Sequence, residues 1–319
     1  MAAMKKNHFN YLLSVPILYS LFVLLYTAVS AQSPAPATPS TGLAVTPPTF
    51  EINGNPGDNI KNTVKLENMH PYPVEIAVDL RNFTAVGEEG AVGLTEETTS
   101  FSLASWIEVM PKTVTIPPKT SQYFTFNIKV PLSAEPGGHF GSLIFRTIPT
   151  EKLEGSGASL AQEIGALVLL RIAGETVEQA NIESFKTSQA LYEKGPINFE
   201  IRIKNQGNVH TKPTGNIVIT NILGKQVKSL SVEPKNILPG ATRKLEAAWD
   251  TKWRIGRYSA TYTAILSDQT TRSITTNFTV LPYRALAVAT IVLVIFILIL
   301  KKYQKRLSLA WKILRSGKA

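Results

Sequence analysis

The chain has no cysteine. That single absence excludes disulfide staples, thiolate metal sites, thiol nucleophiles and thiol redox chemistry. Domains of about 100 residues can stand without disulfides, and an exported chain that lacks cysteine fits a bacterial origin better than a eukaryotic secretory one. Histidine is nearly as scarce, with four in 319 residues. His8 falls in the N-terminal apolar region, and His70, His139 and His210 are scattered at no metal-ligand spacing. Each adjoins a turn or strand end and is expected to be a satisfied surface histidine. Gly-x-Ser-x-Gly elbows, serine–lysine dyads and phosphate-cradling glycine loops are missing too. Glu88-Glu89 and Glu96-Glu97 lack the alternating oxygen ligands of a calcium loop and are expected to form a solvated acidic segment. No catalytic, metal-binding or cofactor-binding residue stands out, so the expectation is a chain that is not an enzyme and has no cofactor.

Net positive charge is scarce in the middle of the chain. The formal net charge is +10, but Lys5 and Lys6 precede the first apolar run and seven basic residues from Lys301 to Lys318 follow the second. Neither end carries an acid, so those nine leave only +1 for everything between them. A nucleic-acid-binding face has no support in that distribution.

The two apolar runs have different characters. Residues 1–31 read as a signal peptide, with a basic start, an apolar stretch from Tyr11 to Ala28 and small residues at Val29-Ser30-Ala31. An uncleaved N-terminal anchor is the competing reading. Residues 32–41, with Pro34, Pro36 and Pro39, form a Pro-rich linker. The second run, Ala285–Leu300, is free of charge, and extension to 282–303 gives a transmembrane helix with Tyr283 and Tyr303 at the interfaces. The basic residues behind it place the C-terminus in the cytoplasm and residues 32–280 outside the cell membrane, a single-pass topology. In the tail 304–319, Leu307, Ala310, Trp311 and Leu314 recur at helical spacing. That suits either a helix lying on the inner leaflet or a plain stop-transfer tail.

Between the runs the pattern is β. Val74, Ile76, Val78 and Leu80 alternate with polar residues, as do Phe124, Phe126, Ile128 and Val130, then Ile197, Phe199, Ile201 and Ile203, then Tyr258, Ala260, Tyr262 and Ala264. Such period-two stretches bury one face and wet the other, and turn-rich joints separate them. The expected fold class is all-β, with two tandem Ig-like β-sandwich domains at 42–176 and 177–281. The halves repeat in order. Val64–Asn68 parallels Ile201–Asn205, Ile116–Thr120 parallels Leu238–Thr242, and Gly138-His139-Phe140 parallels Gly256-Arg257-Tyr258. The first half has extra segments at Thr84–Phe101 and Thr150–Glu163, its expected functional variation. Trp249 continues an apolar alternation and is expected in the core, whereas Trp253 follows a turn and is either packed or exposed. Asn82-Phe83-Thr84 and Asn277-Phe278-Thr279 match the glycosylation sequon.

Phe83-Thr84-Ala85, Gly90, Val114–Pro117, the run to Val130-Pro131 and Gly137–Ile144 together resemble the N-terminal domain of WxL-interacting cell-surface proteins. The resemblance implies peptidoglycan binding by the first domain and attachment to a protein partner by the second. It carries over no individual ligand-binding residue. The expected function is therefore a cell-surface adhesion or adaptor protein whose partners are cell-wall glycan, surface proteins or both. A structural stalk or envelope-assembly component without glycan affinity is the alternative.

Overall fold

The computed structural model describes residues 42–148, 161–251, 254–266 and 270–316, with backbone alone beyond 304. The expected signal peptide, the Pro-rich linker, most of Thr150–Glu163, Trp253 and the tail side chains from 305 onward lie outside the described residues.

The first sandwich is built from β1 (Leu43–Thr46), β2 (Thr49–Gly54), β3 (Asn59–Asn68), β4 (Val74–Val86), β5 (Ala91–Thr95), β6 (Ile107–Met110), β7 (Thr113–Ile116), β8 (Ser121–Lys129), β9 (Gly137–Ile148) and β10 (Glu163–Ile172). One sheet has the order β1-β3-β8-β6, and the other β2-β10-β9-β4-β5 with β7 also on β4. The second contains β11 (Ala180–Thr187), β12 (Leu191–Tyr192), β13 (Ile197–Asn205), β14 (Thr214–Asn221), β15 (Gln226–Val232), β16 (Thr242–Trp249), β17 (Gly256–Ile265) and β18 (Thr271–Val280). Its sheets run β11-β13-β16 and β12-β18-β17-β14-β15. In each half the first segment changes sheets: β1 and β11 pair antiparallel with β3 and β13, and then β2 and β12 pair parallel with β10 and β18. Two Ig-like sandwiches with a common strand order follow, the first carrying β6 and β7 in addition, and the all-β expectation is met.

The alternating residues supply the cores. Val64, Leu66, Phe124, Phe126 and Ile128 are fully buried in one cluster, and Phe199, Ile201, Ile203 and Tyr262, with Trp249 nearly so, in a second. Each fully buried side chain of this size contributes on the order of 1.5–3 kcal/mol, so the two clusters are the main source of stability.

The internal repeat is present, but two of its three sequence correspondences are off by one residue. The turn before β8 has its left-handed residue at Lys119 (φ 57°) and the turn before β16 at Gly240 (φ 74°), so Ile116 matches Ile237, not Leu238. Gly137 and Gly256 open β9 and β17 at φ 138° and 142°, so His139 matches Tyr258, not Arg257. A one-residue slip moves a strand's side chains to the opposite face, and apolar character alone did not fix the register at these glycine-rich entries.

After β18 only Leu281 and Pro282 precede α1 (Tyr283–Ser316). Within its segment Tyr283–Gln304 the most apolar 18-residue window has mean hydropathy 2.6, and none of that window is buried in the protein. At 22 residues the segment spans roughly 33 Å, enough to cross a hydrocarbon layer of about 30 Å.

Candidate functional site

Strand β9 explains how the two sandwiches meet. An ordinary sheet strand buries alternate residues, yet Gly137 through Phe145 are all buried. Leu143 and Phe145 face the first core, while Phe140 joins Phe83 and Leu169 in a separate cluster, against which Leu167 and Leu238 pack. Leu238 belongs to the second sandwich, so this cluster is an apolar pad between the two. The glycines allow the close approach: Gly138 N donates to Asn208 O at 2.8 Å, and a Cβ on Gly138 would lie 3.3 Å from Val209 Cα. Asn208 also accepts from Val177 N through Oδ1 at 2.8 Å, which ties the connecting segment to the same point.

An acidic clamp forms one side of the contact. The turn between β4 and β5 has Gly87 and Gly90 in left-handed conformations (φ 62° and 87°). Its projecting Glu88 takes two bonds from Arg202, Nε to Oε2 at 2.6 Å and Nη2 to Oε1 at 2.5 Å. Lys244 N donates to Glu88 O at 2.8 Å, and the Lys244 ammonium pairs with Glu89. The expectation of a solvated acidic loop is thereby corrected for Glu88, which the other sandwich engages, whereas Glu89 stays largely exposed while it pairs with Lys244. Lys244 is held well above the usual lysine range by Glu89 and Glu246, and Arg202 above its ordinary value by Glu88.

Glu51 on β2 anchors the other side. Lys212 Nζ and Asn236 Nδ2 donate to its Oε1 at 2.7 and 2.8 Å. These bonds, Lys212 first, hold the Glu51 carboxyl below its usual range. His210 lies beside it with its ring 6.0 Å from Phe140, and burial lowers its imidazole pKa.

Between clamp and anchor lies a cleft of about 340 Å³, within the range of ligand pockets. Phe83, Leu167 and Leu169 form one wall and Ile237 and Leu238 the other, with Lys212, Lys235 and Arg243 at the rim. A smaller cavity of about 140 Å³ shares Phe83, Ala85 and Leu238 and reaches Phe101. The cleft lining holds no histidine or serine, and among the described residues no group of three His, Asp or Glu converges as a metal site. The cleft thus sets apolar walls beside three cationic side chains, one of them, Lys212, already paired with Glu51.

The histidines differ from expectation. His70 and His139 are 6% and 3% exposed, not surface residues. His70 stacks on Tyr72 and its Nε2 meets Gln162 Oε1 at 3.1 Å; His139 Nε2 meets Glu135 O at 3.0 Å, against the Trp106 ring. Their burial reflects pairing partners distant in sequence or hidden by turns. Asn82, the first sequon asparagine, is also buried: its Nδ2 donates to Glu97 O, and its Oδ1 accepts from Leu103 N and Ala104 N. Glu51, Asn208, Lys212 and Arg243 were not singled out in the sequence. Their only sequence signal is a charged or turn-forming residue in an ordinary context.

No family model matches the chain, and no curated protein matches it. Solved structures that resemble it include the class 5 fimbriae chaperone CfaA (13% identity, TM-score 0.40, covering 75% of this chain and all of that one). Another is the E. coli chaperone DraB (13% identity, TM-score 0.36, covering 75% of this chain and 97% of that one). At these scores neither likeness bears on site or partner.

Proposed function

We propose that this chain is a non-catalytic adaptor, held at the outer face of a cell membrane by α1, that grips a segment of a partner protein between its sandwiches. The observation that carries this reading is the cleft itself: apolar on both walls, basic at the rim and kept in shape by contacts on either side. The carboxylate and ammonium of the lining, Glu51 and Lys212, are spent on each other in holding the sandwiches together, which suits the cleft to holding what it binds. The basic residues after the apolar helix favour an inner C-terminus and an outer pair of sandwiches.

The resemblance to WxL-interacting proteins supports a cell-wall setting and adds peptidoglycan retention by the first sandwich as a second activity. Phe83 and Phe140, two residues of that resemblance, build the pad between the sandwiches. The test uses the full chain in its host with a photo-crosslinking residue at Leu167 in the cleft, or at Tyr123, which is 62% exposed on the other sheet. A discrete protein adduct from Leu167 only, lost on Lys212→Glu with Arg243→Glu, is the expected result. Adducts that ignore these charge reversals count against the cleft. Retention on insoluble peptidoglycan that is unaffected by them would place glycan elsewhere on the first sandwich. Neither adduct nor retention leaves a structural stalk.

A further inference from the structure

The end of the second sandwich opposite the cleft has a composition of its own. Strand register locates it: Val280, the last residue of β18, pairs with Gly256, and Asn221, the last of β14, pairs with Tyr258. The β14–β15 turn therefore sits level with the point where the chain leaves for α1, two strands away, or about 10 Å to the side. That turn presents Ile222 and Leu223, 80% and 85% exposed. Its shape is fixed from within, since Asn221 Oδ1 accepts from Leu223 N and Lys225 N, both at 3.0 Å, and Gly224 takes φ 74°. The two apolar side chains are thus displayed on a built turn.

They are not isolated. Ile255, just before Gly256, is 68% exposed, and Leu191, paired with Thr279, is 45% exposed. Around them stand the exposed basic residues Lys194, Lys225, Arg254, Arg257 and Arg284, against the acids Glu193 and Asp250. Glu193 is already engaged by Arg284 Nε at 3.4 Å, and Leu281 N donates to Tyr192 O at 2.8 Å, so the exit of the chain is tied to this end of the sandwich.

We infer that this end is a membrane-docking surface: Ile222, Leu223 and Ile255 enter the interfacial layer of the bilayer while the surrounding lysines and arginines meet anionic headgroups. The inference rests on the reading of α1 as a membrane span. Lipid is the occupant that fits because a span begins at Tyr283, with only Leu281 and Pro282 between it and Val280, which holds these apolar tips at the surface whatever else is present. Apolar tips ringed by basic residues are also the composition that an anionic leaflet binds. The second sandwich would then sit down on the membrane and hold the cleft a fixed height above it.

The absence of cysteine makes the test direct, because any introduced thiol is unique. The full chain with Leu223→Cys, labelled with an environment-sensitive fluorophore, is reconstituted into phosphatidylglycerol–phosphatidylcholine vesicles containing nitroxide lipids. The expected result is a blue-shifted emission that is lost to a shallow nitroxide. Glu233→Cys, at the opposite end of the same sandwich, should show neither effect. Val292→Cys reports on the span and should be quenched by a deep nitroxide. Quenching at 292 with none at 223 overturns the docking surface and leaves the anchor standing. No quenching at 292 overturns the anchor, and the docking inference with it. A blue shift at 223 that no nitroxide quenches assigns the patch to a protein or a second copy and overturns lipid.

Discussion

Asn68 and Asn205 hold the same place in the two sandwiches, at the last residue of β3 and of β13, and both are essentially unexposed. Asn68 Nδ2 donates to the carbonyls of Tyr72, Ile116 and Pro117 at 2.9, 3.0 and 3.1 Å, and its Oδ1 accepts from His70 N. Asn205 Nδ2 donates to Val209 O and Ile237 O at 2.7 and 2.9 Å, and its Oδ1 accepts from Gly207 N. Each amide ties the chain leaving one strand to the turn that enters another. Carbonyls buried at such a crossing need a donor that no strand supplies.

Replacing either asparagine with leucine keeps the bulk and strands these partners. Asn205→Leu is expected to cost about 3 kcal/mol, and Asn68→Leu, with three carbonyls to abandon, at least as much. Thermal melts of the detergent-solubilised chain measure this directly. A midpoint unchanged by both substitutions would mean that the amides are dispensable.

The same pair shows what the sequence makes legible. Val64–Asn68 and Ile201–Asn205 are visible as a repeat because apolar alternation runs straight into the asparagine, and periodicity is a local signal. The strand faces around Phe124 or Ile201 are readable for the same reason. The interface is not, because its pairs are remote: Glu88 and Arg202 lie 114 residues apart. Nothing near Glu88 distinguishes a clamp from a solvated loop. The glycines around Phe140 carry no sequence signal of what approaches them, because Asn208 and Val209 of the second sandwich are remote in the chain.

The Glu88–Arg202 pair is bidentate but half in solvent, with side chains 32% and 40% exposed. A double-mutant cycle of Glu88→Gln and Arg202→Gln should therefore return a small favourable coupling at low salt that shrinks at high salt. A coupling indistinguishable from zero at low salt would show that the clamp positions the sandwiches without stabilising them.

Acid should loosen the interface. Burial depresses the His210 pKa below its ordinary 6.5, so its neutral form is favoured when folded, and stability falls as pH drops through 6.5 toward the folded value. Glu51, with its pKa below the ordinary 4.5, contributes stability above that value and loses it as pH falls further. The charged groups bearing on His210 are Glu51, Arg171, Lys212 and Glu178. His210→Gln should flatten the upper part of the decline and leave the lower part, measured as melting midpoint against pH. A profile that His210→Gln leaves unchanged would refute the assignment.

Shortening the β4–β5 segment separates two roles that its sequence suggests. A mostly polar loop on a sandwich is ordinarily dispensable, since it buries little apolar area. Here Gly87–Thr99 carries Glu88 and Glu89 to the second sandwich, and Gly90, Ala91 and Val92 line the cleft. Replacing Gly87–Thr99 with a short Gly-Ser turn should leave both cores intact, because neither cluster draws a residue from it. What should go is coupling between the sandwiches: one cooperative melt becomes two, and the Leu167 crosslink to a partner disappears. The Glu51 anchor and the Phe140 pad remain, so the sandwiches stay in contact but lose a fixed cleft. A single unchanged melt with the crosslink intact would show that the anchor and pad suffice. A single transition at much lower temperature would show instead that the hairpin stabilises the first sandwich itself.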